Sequence, residues 1–123
     1  MTLTEWILIT LALLFIKHWY VDFVIQTDDE VRYKAVYAHP IGVRHSFKHG
    51  VGSVIVFVLA GLEPAWVLLL AGVDAVAHYH IDWVKMNYGN RDIRTPQFWN
   101  HLGLDQLAHY ICYLILVYYA AIN

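Results

Sequence analysis

The sequence predicts an all-α, polytopic membrane protein: an antiparallel bundle of four transmembrane helices containing a parallel internal pseudo-repeat. Four apolar stretches of about 20 residues or more, the length a bilayer core requires, are divided by turn-rich segments, and none alternates with the period of a strand. Hydrophobic residues make up 59% of the chain and charged residues 15%, where a soluble domain carries about 45–50% and about 25%. In an up-down-up-down arrangement the polar residues of all four stretches fall at one end. The net charge of −2 offers no basic surface to nucleic acid.

The first helix is read over 2–26, apolar over 6–16 and then carrying Lys17, His18, Asp22 and Gln26. No basic residues precede that apolar run, so it reads as a retained helix and not as a cleaved signal peptide. A charged loop, 27–40, follows. The second helix, 41–59, begins with Arg44, His45, Lys48 and His49 and is apolar from Val51. It ends at the 61–64 turn, where Pro64 suits the first turn of a third helix. That helix, to about 86, is apolar from Ala65 and then carries Asp74, His78, His80, Asp82 and Lys85. After the turn-rich 87–96, the fourth helix, 97–122, begins with His101, Asp105, Gln106 and His109 and is apolar to its end. His39, His80 and His101 are assigned to the water interface, and the tyrosines of the fourth helix to packing and interfacial anchoring. The lone Cys112 excludes an internal disulfide and reads as a packing residue.

All eight Lys and Arg lie in or beside the two polar loops, and the termini and the 61–64 turn have none. The positive-inside rule then places both polar loops in the cytoplasm and both termini outside, with Trp6 and Trp66 at the outer interface. The expected location is a bacterial inner membrane.

The polar positions recur with a shift of 60 residues. His18 maps to His78, Asp22 to Asp82, Lys34 to Arg94, His45 to Asp105, His49 to His109, and Trp6 to Trp66. Pseudo-repeats over about 1–60 and 61–123 would be related by an axis along the membrane normal. Such symmetry gives one composite site on the bundle axis. Asp74 breaks it, since its counterpart is Leu14, and Gln26 faces Met86 under the same shift.

His18 and Asp22, His45 and His49, His78 and Asp82, and Asp105 and His109 are all four residues apart. That spacing puts two side chains on one helix face with Cβ atoms about 5–6 Å apart, close enough to share a metal ion. Imidazole and carboxylate donors without thiolates suit zinc, manganese, iron or nickel. An aspartate at mid-bilayer costs about 2.5–3.5 kcal/mol, so Asp22, Asp74, Asp82 and Asp105 together cost on the order of 10 kcal/mol unless a cation, a paired side chain or water compensates them. For one His–Asp pair an interhelical hydrogen bond is an equal explanation; for four helices converging at one depth, a functional site is favoured.

The pattern His18-x3-Asp22-x3-Gln26, Lys34, His45-x3-His49, His78-x3-Asp82-x2-Lys85 and Asp105-Gln106-x2-His109 resembles a family of small integral membrane proteins of bacteria and phages, domain of unknown function 3307. The resemblance spans nearly the whole chain and implies an architecture without an activity. The chain is also distantly similar to the membrane-bound metal-dependent hydrolases, which imply zinc-type hydrolysis by analogy.

On this reading His18, Asp22, His49, His78, Asp82 and His109 are the ligands of a divalent metal, zinc, manganese or iron. His45, Asp105 and the unmatched Asp74 serve the reaction, the first two as ligand-orienting or general-base groups. Lys34 and Arg94, with Gln26 and Gln106, bind substrate and hold an anionic group such as a phosphate. The expected function is a metal-dependent hydrolase acting on a lipid-linked phosphate or ester, with membrane lipids as surroundings, no nucleic-acid partner and homo-oligomerisation left open. Two alternatives of other classes are a divalent-cation transporter and a non-enzymatic membrane protein acting through a host or partner complex.

Overall fold

The computed structural model describes residues 1–123 and is helical, without strands. Helix α1 (Leu3–Trp19) starts in a capping box in which Thr2 and Glu5 satisfy each other's backbone amides. It runs directly into a π-helical turn, Tyr20–Val24. Helix α2 (Asp28–Tyr33) is short. Helices α3 (Pro40–Leu59), α4 (Pro64–Tyr88) and α5 (Pro96–Ala121) each begin with a proline, whose missing N–H costs nothing in a first turn.

Two expectations are corrected here. The first helix is not one regular α-helix, because its last turn widens so that the Ile25 N–H reaches the Tyr20 carbonyl at 3.1 Å, five residues back. The segment 27–40, read as a loop, contains α2, nucleated by a second capping box between Thr27 and Glu30. That box was readable as Thr-x-x-Glu; six residues are too few to carry a hydrophobic period.

The four long helices close a ring: α3 packs on α4, α4 on α5, α5 on α1, and α1 on α3, while α2 lies on α3. Gly42 permits the last contact. A Cβ there would lie 2.7 Å from the Tyr33 carbonyl oxygen and 2.8 Å from Lys34 Cα, against backbone that cannot yield. The 60–64 turn is held by Gly61, at φ +83°, and by Trp6 Nε1, which donates to the Ala60 carbonyl at 2.9 Å.

The interior is divided along the helix axis. At the end near Trp6 and Trp66 it is apolar, built from Leu14, Val56, Phe57, Val67, Leu70, Tyr113 and Leu116. At the other end it is polar, and over the whole chain buried residues are at least as often polar or charged as apolar. The outward faces are the reverse, with Leu8, Phe15 and Phe23, Ile55 and Val58, Leu68 and Val73, and Ile111 and Leu114 all exposed. Two segments, Leu3–Val24 and Pro64–Tyr88, are long and apolar enough to cross a membrane. The polar first turns of α3 and α5 dilute their hydropathy, although each helix has at least 20 residues.

Helix α2 is fastened by Glu30, which is fully buried and accepts from Lys48 Nζ at 2.9 Å, Arg44 Nε at 3.3 Å and the Thr27 N–H at 2.9 Å. Burial alone would raise its carboxyl, but these donors outweigh burial and hold it down at about 2. A carboxylate depressed on folding stabilises the fold fully above its ordinary value near 4.5, and that contribution is lost as pH falls through the folded value. Amide exchange over α2 should therefore accelerate between about pH 4.5 and pH 2, and Glu30→Gln should exchange fast at neutral pH and lose that acid step. An acid step retained by Glu30→Gln would assign it to another group.

Candidate metal centre

The polar end gathers side chains from every long helix. The π-helical turn places Asp22; α3 supplies His45 and His49, α4 supplies His78 and Asp82, α5 supplies Asp105 and His109, and α1 supplies His18. All are buried. Two subsets lie close enough to share an ion: Asp22, His45, His49 and His78, and His78, Asp82 and His109.

At the middle is a four-cornered arrangement of two nitrogens and two oxygens. His45 Nε2 lies 3.0 Å from Asp22 Oδ1 and 3.4 Å from Asp82 Oδ2. His78 Nε2 lies 3.5 Å from the same Asp22 oxygen and 3.2 Å from the same Asp82 oxygen. Atoms bound at about 2.0–2.1 Å to a tetrahedral zinc are separated by about 3.3–3.4 Å. These four separations lie in the range of such edges, although Asp22 and Asp82 belong to different subsets of residues close enough to share one ion. They are not hydrogen bonds, because neither nitrogen of His45 or of His78 has a hydrogen-bond partner. Buried polar atoms are nearly always satisfied, and a neutral ring has one lone pair, so His45 and His78 together have two unspent lone pairs that a cation would use.

The neighbouring histidines are committed differently. Lys17 Nζ lies 2.8 Å from Asp74 Oδ2, 3.1 Å from Tyr113 Oη and 3.2 Å from His49 Nδ1. An ammonium only donates. His49 Nδ1 therefore accepts, its ring proton sits on Nε2, and that N–H donates to Asp22 Oδ1 at 2.8 Å. The same logic reaches His18. Gln106 Nε2 donates to Asp105 Oδ2 at 3.0 Å, which turns the amide oxygen toward His18 Nε2 at 2.7 Å. His18 thus carries its proton on Nε2, and its Nδ1 accepts from the Tyr113 hydroxyl at 2.8 Å. His18 and His49 hold Asp22 from two sides and leave their lone pairs to Tyr113 and Lys17. On the far side His109 Nε2 lies 3.1 Å from Asp82 Oδ1 and 3.5 Å from Asp105 Oδ1. The Asp22–His49 and Asp82–His109 contacts both join residues 27 apart.

Charge accounting points the same way. Asp22, Asp74, Asp82 and Asp105 bring four negative charges into the buried network. Lys17, on Asp74, and Lys34, 3.3 Å from Asp82, bring two positive ones. With neutral imidazoles two negative charges remain unmatched, and buried charge without compensation costs several kcal/mol per ion. One divalent cation held by either subset would restore neutrality. In donor type, spacing and charge the residues fit such an ion.

Of the residues expected at the site, His18, Asp22, His45, His49, His78, Asp82, Asp105 and His109 converge, and Gln26, Gln106, Lys34 and Asp74 touch that cluster or its immediate partners. Lys34 is buried between Asp82 and Gln26 Oε1, at 2.9 Å from the latter. Arg94 is not brought in at all; it is 86% exposed and paired with Asp92 at 3.0 Å. His45 joins the candidate ligands, and His18 lies in neither subset. Asp74, assigned to the reaction from sequence, is paired with Lys17 and accepts from Ser53 Oγ. Lys17, Ser53 and Tyr113 were missed. The signal for Lys17 was the unmatched Asp74, a lone carboxylate in an apolar run that needs a cation. Gly52 clears the space, since a Cβ there would lie 2.5 Å from Lys17 Cγ.

The fold and the site together define an all-helical protein, two of whose helices are apolar enough to span a membrane, with buried His and Asp groups that could hold a metal ion. The chain belongs to the family described as protein of unknown function (DUF3307), which matches residues 10–123. No curated protein and no solved structure matches it.

Lys17→Met leaves Asp74 buried without its cation and should destabilise the protein by about 3–5 kcal/mol. Lys17→Met combined with Asp74→Leu should recover most of that loss in detergent unfolding measurements; equal destabilisation of single and double variants would refute the ion pair. In nitrogen-15 spectra the His18 and His49 rings should be Nε2–H tautomers, and Lys17→Met should release His49 from that state.

Proposed function

We propose that the protein is a metal-dependent membrane hydrolase that cleaves a lipid-linked phosphate or related ester at this centre. The observation that carries the reading is the His45–Asp22–His78–Asp82 arrangement, with its unspent nitrogens and two unmatched negative charges. A divalent cation bound there, zinc, manganese or iron, supplies Lewis-acid chemistry, polarising a phosphoryl or carbonyl oxygen and lowering the pKa of water.

In this reading α1 with its π-helical turn, α3, α4 and α5 all cross the bilayer, with the polar loops cytoplasmic and the bacterial inner membrane as the location. The apolar outward faces and the polar interior support it, since only lipid makes that distribution favourable. A duplicated design is supported by the two aspartate–histidine contacts at the same separation of 27 and by the i, i+4 pairs His18–Asp22 and His78–Asp82, at 3.1 and 3.2 Å.

The chain's own groups divide the work. Asp22 and Asp82, oriented by His18, His49, His109 and Lys34, set the position of the reacting water. Asp105 Oδ1, buried and without a hydrogen-bond partner beside His109 Nε2, takes the proton from that water. The water oxygen bonds to phosphorus as the ester P–O bond breaks, and the departing alkoxide recovers a proton. Transport of the cation is disfavoured by the apolar plug of Leu14, Phe57, Leu70 and Tyr113, which offers an ion no polar route onward.

Purified protein in detergent should contain one equivalent of a transition-metal ion by elemental analysis, and His78→Ala and Asp82→Ala should abolish it. Chelation should remove hydrolysis of phosphate-bearing lipids, and metal should restore it. Protein that is folded, metal-free and indifferent to chelators would overturn the proposal. An unchanged cellular function in the His18→Ala/His78→Ala variant, with only its stability lowered, would instead make the cluster a folding device.

A further inference from the structure

Helices α4 and α5 part at their polar end to leave a cleft of about 470 Å³ open on the side of the molecule. One wall is apolar, formed by Ile81, Val84 and Leu104, and Asp105 lies in the lining, so the cleft adjoins the buried site. At the loop end it is lined by Lys85 and His101. Lys85 is half-buried and has no ion pair or hydrogen-bond partner, although the other lysines, Lys17, Lys34 and Lys48, are all engaged with carboxylates. His101 Nδ1 accepts the Asn90 N–H at 2.8 Å, which fixes its ring proton on Nε2, and that N–H has no protein partner. His80, on the rim, is already spent on Tyr37 and the Val76 carbonyl.

A second apolar cleft, of about 480 Å³, lies between α1 and α3 among Ile16, Val51 and Ile55. Its nearby cations are Lys17 and Lys48, already paired with Asp74 and Glu30. Of the two, only the α4–α5 cleft combines an apolar wall with free donors, and only it includes one of the clustered His and Asp residues.

We infer that the α4–α5 cleft binds a membrane lipid by its phosphate headgroup, with Lys85 and His101 holding the phosphate, the acyl chain lying along Ile81, Val84 and Leu104, and Asp105 marking where the headgroup meets the site. This rests on the membrane-spanning hydrolase reading and names its substrate class and the residues that select it. A partly desolvated ammonium favours a compact anion over a zwitterion, whose own cation repels it. Lys85 and His101 replace Arg94, whose charge is spent on Asp92 at the surface.

The test uses delipidated full-length protein in detergent, titrated with dioleoyl phosphatidic acid or dioleoyl phosphatidylcholine and read by native mass spectrometry. Phosphatidic acid should bind at least tenfold more tightly than phosphatidylcholine. Lys85→Met should remove that preference, His101→Phe should weaken it severalfold, and Arg94→Gln should leave it unchanged. Leu104→Trp, which fills the cleft, should weaken both lipids. Thermal unfolding of each variant identifies any that fails to fold, and Lys85→Arg should then rescue the preference that Lys85→Met loses. Equal binding of the two lipids, an unaltered preference in folded Lys85→Met, or displacement by inorganic phosphate at lipid-like concentrations would overturn the proposal. The titration is repeated after chelation. Lipid preference in protein that never held metal would sink the hydrolase reading and leave the cleft standing, whereas metal bound without lipid preference would do the opposite.

Discussion

The need to compensate buried negative charge is the constraint on which the rest of this structure depends. Four carboxylates are buried against two ammonium groups, and neither lysine is free to move. Lys17 spends all three protons on Asp74, Tyr113 and His49, and Lys34 is divided between Asp82 and Gln26. The helices are therefore held around a centre whose buried His and Asp groups could hold a metal ion. Breaking either ion pair would not merely loosen a contact, since it would leave a charge with nowhere to be solvated.

Local backbone devices exist to make that centre reachable. The π-helical turn takes the place of the last α-helical turn at Asp22, the aspartate that four histidines approach. Such turns occur mostly at functional positions. Gly42 lets α2 lie close enough on α3 to deliver Lys34, and Gly52 opens a channel for the stem of Lys17. Glu30 then pins α2 from the other side through Lys48 and Arg44. Each is a small steric or electrostatic allowance, and each serves the placement of one charged side chain.

The directions of the hydrogen bonds separate groups that composition treats alike. Five histidines surround two aspartates, yet their protons are assigned by different neighbours. Lys17 and Tyr113 leave His49 and His18 as N–H donors, while both ring nitrogens of His45 and of His78 are left without a hydrogen-bond partner. The distinction follows from the rule that the partner of one ring nitrogen determines the role of the other. The apolar half of the interior, from Leu14 to Leu116, excludes water from one side of this network. On the side of the molecule the α4–α5 cleft reaches this network at Asp105.

Much of this was legible in the sequence. The helical class, the three later helix starts to within a residue of Pro40, Pro64 and Pro96, and the convergence of His18, Asp22, His45, His49, His78, Asp82, Asp105 and His109 all follow from periodicity, turn chemistry and i, i+4 spacing, which are local properties of the chain. Helix α2 was written in its capping box but is too short to register as a period. What only the tertiary structure decided is how groups on different helices meet: that Asp74 belongs to Lys17, that Lys34 is buried while Arg94 faces outward, that His45 faces the candidate centre while His18 and His49 brace it, and that Lys85 is left free. Spacing along one helix determines which side chains share a face. The partner across the interface, and with it the charge state and proton of each group, depends on the π-helical turn and on close approaches at two glycines, which no single helix specifies.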